Sequence, residues 1–163
     1  MLAIPYFATL MQVVLRNTPF PHIDRAIPLL LGVAAQESHL TYFRQVGGGP
    51  ARGLFQCEPA TERDHWRWLH AHPGYAHVFE ERAGIEESSI LALEHNIPYQ
   101  ILLARLHFFL RDPQPLPSAT DLQKQAGRWK AVYNTAMGAG TVEGYLSTWQ
   151  RIIQPHYPCT DAR

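Results

Sequence analysis

Asp24-Arg25-Ala26-Ile27-Pro28-Leu29-Leu30-Leu31-Gly32-Val33-Ala34-Ala35-Gln36-Glu37-Ser38 is the stretch on which the fold turns. Apolar side chains fall on nearly every side of the helix this spacing predicts over 24–38, and a helix that is apolar all round is a buried one. Asp24 stands where an N-cap belongs, and Pro28 falls early enough to be read in the first turn, where a missing amide donor costs little. After Asp24 and Arg25, polar groups return only at the far end, with Gln36, Glu37 and Ser38. A carboxyl group there, facing a cleft past an apolar wall, has its pKa raised and keeps its proton near neutral pH. In open water the same Glu37 would be an ordinary helix-end residue.

On the N-terminal side, Phe7, Leu10, Met11, Val14 and Leu15 form a helical stripe that predicts a helix over 6–16. This opening stretch has no basic residue before its apolar run, contains Pro5 and lacks a small-residue cleavage pattern, so it reads as part of the folded protein and not as a signal peptide. On the C-terminal side helical periodicity stops. Residues 39–58 read as loop or short β-like structure, with Gly47-Gly48-Gly49-Pro50 leading into Gly53-Leu54-Phe55-Gln56. Pro59 can open a helix that His72-Pro73-Gly74 closes. Ser88 or Ser89 can cap another through Asn96, and Pro98 bends or restarts it before the apolar run 101–110. Residues 112–118, with three prolines, form a surface connection. Thr120-Asp121-Leu122-Gln123 matches a capping box for a helix over 121–134, and Thr141 caps a last helix to Ile153. The expected fold is mainly α, in one domain over 1–163, with a small β or loop element near 41–57.

The chain has 163 residues, 46% of them apolar, which is enough to bury a continuous core. Fourteen basic and fourteen acidic side chains give zero formal charge without blocks of either sign, which argues against nucleic acid as a partner. All but Lys124 and Lys130 of the basic residues are Arg, suited to a few specific contacts with carboxylates or hydroxyls. No run is long enough to span a bilayer. Cys57 and Cys159 make neither a disulfide framework nor a zinc site, although they would pair if the C-terminus folded back. His65, His70, His72 and His77 lack metalloprotease spacing, so neither metal nor cofactor is expected. Cys57 reads as a structural thiol sooner than as a nucleophile.

Taken in order, Glu37-Ser38 ending a helix, Gly53-Leu54-Phe55-Gln56 in a turn, and Tyr133-Asn134 closing a later helix make the chain resemble the lysozyme-like superfamily. Within it the resemblance is to the soluble lytic transglycosylases, including those encoded by bacteriophages, and it spans most of the chain. Asn96 also lies where that family commonly has an Asn. The sequence departs from the family pattern in two places. Phe55 stands where the family usually has Met, and Thr135, Ala136 and Met137 intervene before the glycine that follows the Tyr-Asn pair.

The resemblance implies cleavage of the β-1,4 bond between N-acetylmuramic acid and N-acetylglucosamine in peptidoglycan, with Glu37 first as general acid and then as base. Ser38, Phe55, Gln56, Tyr133 and Asn134 become the expected substrate-contacting residues. A lytic transglycosylase uses the muramic C6 hydroxyl as the attacking group and leaves a 1,6-anhydro end; a lysozyme uses water. A hydrolase keeps a second carboxylate across the cleft. Glu58, Glu62 and Asp64 are near enough in sequence to be considered for it, but none stands out, which favours the anhydro route. Tyr42, Phe43, Trp66 and Trp68 are candidates for stacking on sugars, with core packing as the competing reading. The rival class is a peptidoglycan-binding virion module without turnover. A monomer is the default, delivered to the wall by a virion or a lysis system.

Overall fold

The computed structural model describes residues 2–134 and 139–157. Among them the chain is mainly helical, and strand pairing is limited to two isolated antiparallel bridges, Arg44 with Arg52 and Arg52 with Cys57. Both bridges lie within the segment the sequence marks as a small β element.

Helix α1 spans Ile4–Leu15, starting earlier than the apolar stripe predicts because Pro5 sits in its first turn, where no amide donor is missed. It buries Ile4, Phe7, Ala8, Met11, Val14 and Leu15 against α2, Ile23–Ser38. In α2 every residue from Ala26 to Ala35 is buried, and the helix packs on α1, α6 (Ile97–Arg111), α7 (Leu122–Trp129), α8 (Val142–Thr148) and the helical turn Trp149–Ile153. Its N-cap is His22 in the left-handed region, not Asp24, which lies in the first turn and favours the helix dipole without capping. Pro28 is inside the helix, deeper than the first turn. Gly32 is required where α2 meets α8: a Cβ there would lie 1.9 Å from the Tyr145 hydroxyl oxygen.

Helix α3, Pro59–His70, ends near the predicted stop, but Pro73 opens a further helix, α4, Pro73–Ala83. The sequence reading took Pro73-Gly74 as a terminator only. Proline is equally suited to a first turn, and burial of Val78 and Phe79 supplies the driving force. Ser89 caps α5, Ile90–His95, by accepting from the Ala92 amide at 3.2 Å. Asn96 caps α6, accepting from the Tyr99 amide at 3.0 Å, and donates to the Ala83 carbonyl at 2.8 Å. Pro98 therefore restarts the chain as a new helix.

Asp121, and not Thr120, caps α7 through the Lys124 amide at 3.0 Å. The helix then widens into a π-helical turn, Lys130–Asn134. Thr141 caps α8 through the Gly144 amide at 3.0 Å, and a second π-helical turn, Trp149–Ile153, follows. Position 138, the glycine that follows the Tyr-Asn pair, and Cys159, with its suggested pairing to Cys57, lie outside the described residues.

Candidate active site

Glu37 emerges from the last turn of α2 at the edge of a cleft of about 460 Å³. Its Oε1 accepts a hydrogen bond from Trp129 Nε1 at 2.7 Å. Trp129 is itself 1% exposed and packs on Tyr145, so the donor is fixed before any ligand arrives. Burial raises the Glu37 pKa above the ordinary carboxyl value, and the indole bond offsets part of that rise. An acid with one oxygen held, and with its proton retained above the ordinary carboxyl value, is suited to donate that proton to a bound group.

The opposite wall comes from residues 42–58. Left-handed conformations at His39 and Leu40 turn the chain away from α2. The segment then folds into a hook, closed by the Gly53 amide on the Phe43 carbonyl at 2.8 Å and by paired bonds between Arg52 and Cys57, both 2.9 Å. Gln100 on α6 pins the hook from below, its Oε1 accepting from the Leu54 amide at 2.9 Å. Gly53 has φ of 74°, and a Cβ there would stand 2.4 Å from the Leu93 carbonyl oxygen. The hook thus presents Gln56, whose Nε2 donates to the Gly53 carbonyl at 2.8 Å, which leaves Oε1 as the atom able to accept from a ligand amide.

Three of the residues expected to act on substrate share this cleft: Glu37, Gln56 and Tyr133. Tyr133 is carried in by the π-helical turn that follows Trp129, and its ring packs on His107 and Phe108. Burial, with Cys57 and Glu37 nearby, pushes its phenol far up, so it stays a neutral hydroxyl. Three others do not line the cleft. Ser38 is buried, donating to the Ala34 carbonyl at 2.9 Å and accepting from the Leu40 amide at 3.2 Å, so it finishes the helix instead of meeting a sugar. Phe55 is 2% exposed and packs on Phe7, because the hook turns it inward to the core. Asn134 accepts from Lys130 Nζ at 2.7 Å within its own turn.

Of the acids considered as a second carboxylate, Glu62 is fully buried under Ser88, Ser89 and Tyr99, and Asp64 pairs with Arg67 at the surface. Glu58 does line the cleft. Tyr42 stands half-exposed there as well, whereas Trp66 is buried on Tyr99 and Trp68 stacks on His72. The Cys57 thiol is pushed up to about 12 by burial and by Glu62 and Glu58, which keeps it protonated and a poor nucleophile.

Two features of the site escape a reading of the sequence. Trp129 precedes Tyr133 by one helical turn, a spacing that signals a shared face but not a bond to Glu37. The second is a pair of imidazoles, His65 from α3 and His107 from α6, both on the cleft wall. His65 Nδ1 contacts the Thr61 carbonyl, His65 Nε2 lies 3.2 Å from His107 Nδ1, and His107 Nε2 lies 3.2 Å from the Val132 carbonyl. Two neutral rings bring two N–H groups to these three contacts, so one contact is without a proton until the pair takes one up. Burial holds the pair against that uptake, lowering His65 and taking His107 down to about 4. Among the described residues no group of three or more side chains is arranged to hold a metal ion, and no helix is long and apolar enough to cross a membrane.

Set against known proteins, the chain matches no family model, no curated protein and no solved structure.

Proposed function

We propose that the protein cleaves peptidoglycan glycan strands as a lytic transglycosylase, with Glu37 as the single acid and base. The observation that carries this reading is the Glu37 carboxyl itself: sheltered, raised in pKa and fixed by the Trp129 indole in a cleft large enough for sugar rings. The Glu37 proton goes to the glycosidic oxygen as the bond to the muramic anomeric carbon breaks and positive charge grows on that ring. The carboxylate then takes the proton of the muramic C6 hydroxyl as its oxygen closes on the anomeric carbon, which leaves a 1,6-anhydro end and regenerates the acid. Gln56 Oε1 is placed to accept from an acetamido N–H, and Tyr133 closes the floor with a neutral hydroxyl.

A second reading, hydrolysis by water, draws on Glu58, a further carboxylate on the same cleft. Mass spectrometry of fragments released from purified cell walls separates the two, since an anhydro end and a reducing end differ by one water. Anhydro ends support the proposal; reducing ends with loss of activity in Glu58→Gln would replace it by hydrolysis. Binding to walls with no released fragment would leave a binding module.

A further inference from the structure

On the side of α6 that faces the proline-rich connection, Arg105 is 2% exposed yet makes one hydrogen bond, from Nη2 to the Pro21 carbonyl at 2.8 Å. Its Nε and Nη1 are buried and unpartnered. The guanidinium lies over the Phe20 ring, 5.3 Å from its centre, which offsets part of the charge without supplying an acceptor. Burial pulls the group down to about 10, and no carboxylate contributes to holding its proton. It remains a cation at any ordinary pH.

Arg105 lines a separate cavity of about 90 Å³, with Pro21, His22, Phe109, Asp112 and Leu116 among its other walls. Asp112 would be the natural counter-ion, but it is engaged elsewhere. Its Oδ2 pairs with Arg128 at 3.0 Å, and its Oδ1 accepts from the Gln114 amide at 3.0 Å. Arg128 also donates to the Gln114 and Pro115 carbonyls, at 3.4 and 3.3 Å. A buried guanidinium without a counter-ion is destabilising, and a buried donor left unmet is costly in its own right. The cavity is too small for a sugar and large enough for a halide with a few waters.

We propose that this cavity is an anion site, in which a small monovalent anion of halide size accepts from the unpartnered donors of Arg105 and neutralises it. The site lies on the opposite flank of α6 from His107 and does not depend on the glycan-cleaving reading. Its effect is on the docking of the connection 112–118 against α6. Thermal melts in a chloride series, balanced with gluconate at constant ionic strength, test it together with anomalous diffraction from bromide-soaked crystals. The melting temperature rises saturably with chloride, on the order of 2–4 °C, and the rise is absent in Arg105→Met. A bromide peak stands within hydrogen-bond reach of Arg105 Nε or Nη1. A melting temperature indifferent to chloride, or equal gains in Arg105→Met and the unaltered protein, overturns the proposal. If Arg105→Met does not fold, the bromide map decides, and a cavity without a peak overturns it.

Discussion

Glu37 sits where burial makes ionisation costly. Its folded pKa is raised, so the folded protein binds this proton more tightly than the unfolded chain does. The contribution to stability is therefore favourable at low pH and is lost as pH rises from the ordinary carboxyl value through the folded one. Glu37→Gln keeps an oxygen for Trp129 and removes the ionisation, so it stabilises the protein at pH 8 by about 0.5–2 kcal/mol while changing little at pH 4. Denaturant melts at the two pH values measure this. Equal effects at both would mean that Glu37 ionises as freely as in water. The placement of Glu37 is legible in the sequence because an apolar helix ends on it. The fixing of its carboxyl by Trp129 is not, since a bond across 92 positions has no local signature. Ser38 and Phe55 show the converse: beside Glu37 and Gln56 in sequence, they are turned into the interior by a helix end and by a hook.

At the level of elements, the hook over 42–58 depends on a backbone conformation and on one long-range bond. Gly53 meets both conditions that demand glycine, a positive φ and a carbonyl 2.4 Å from any Cβ. Gly53→Ala is expected to cost about 1–3 kcal/mol and to lower activity beyond the loss in stability, because Gln56 is carried on the same turn. Equilibrium unfolding alongside wall-clearing rates at low temperature checks both parts; unchanged stability would place Gly53 in a relaxed turn. Most helices were legible from period and caps, as at Ser89 and Thr141, while the cap of α7 falls one residue later than the capping-box pattern places it. Helix α4 was not, because Pro73-Gly74 serves equally as a stop or a start and only packing against α3 and α6 decides between them. The π-helical turn 130–134 was hidden too, since its extra residue per turn does not alter composition, yet it is what carries Tyr133 to the cleft.

For the molecule as a whole, the pair formed by buried His65 and half-buried His107 ties stability to pH in the opposite sense from Glu37. An unfolded His107 takes its proton near 6.5, whereas the folded ring resists until about 4. Between those values the unfolded chain binds more protons, so stability falls as pH drops through the window, by about 3 kcal/mol from this ring. His107→Gln flattens the stability curve between pH 6.5 and 4, read from midpoints of urea unfolding. A curve of the same slope in the variant would assign the acid sensitivity elsewhere. The mainly helical architecture follows from the unbroken apolar stretch of α2 and the run in α6, around which the other helices gather.

The account rests on the Glu37 proton breaking glycan strands, and turnover of purified peptidoglycan by Glu37→Gln tests it most directly. Release of soluble fragments should fall by about 10²–10⁴-fold, with binding to insoluble walls retained. Release at the rate of the unaltered protein would contradict the account.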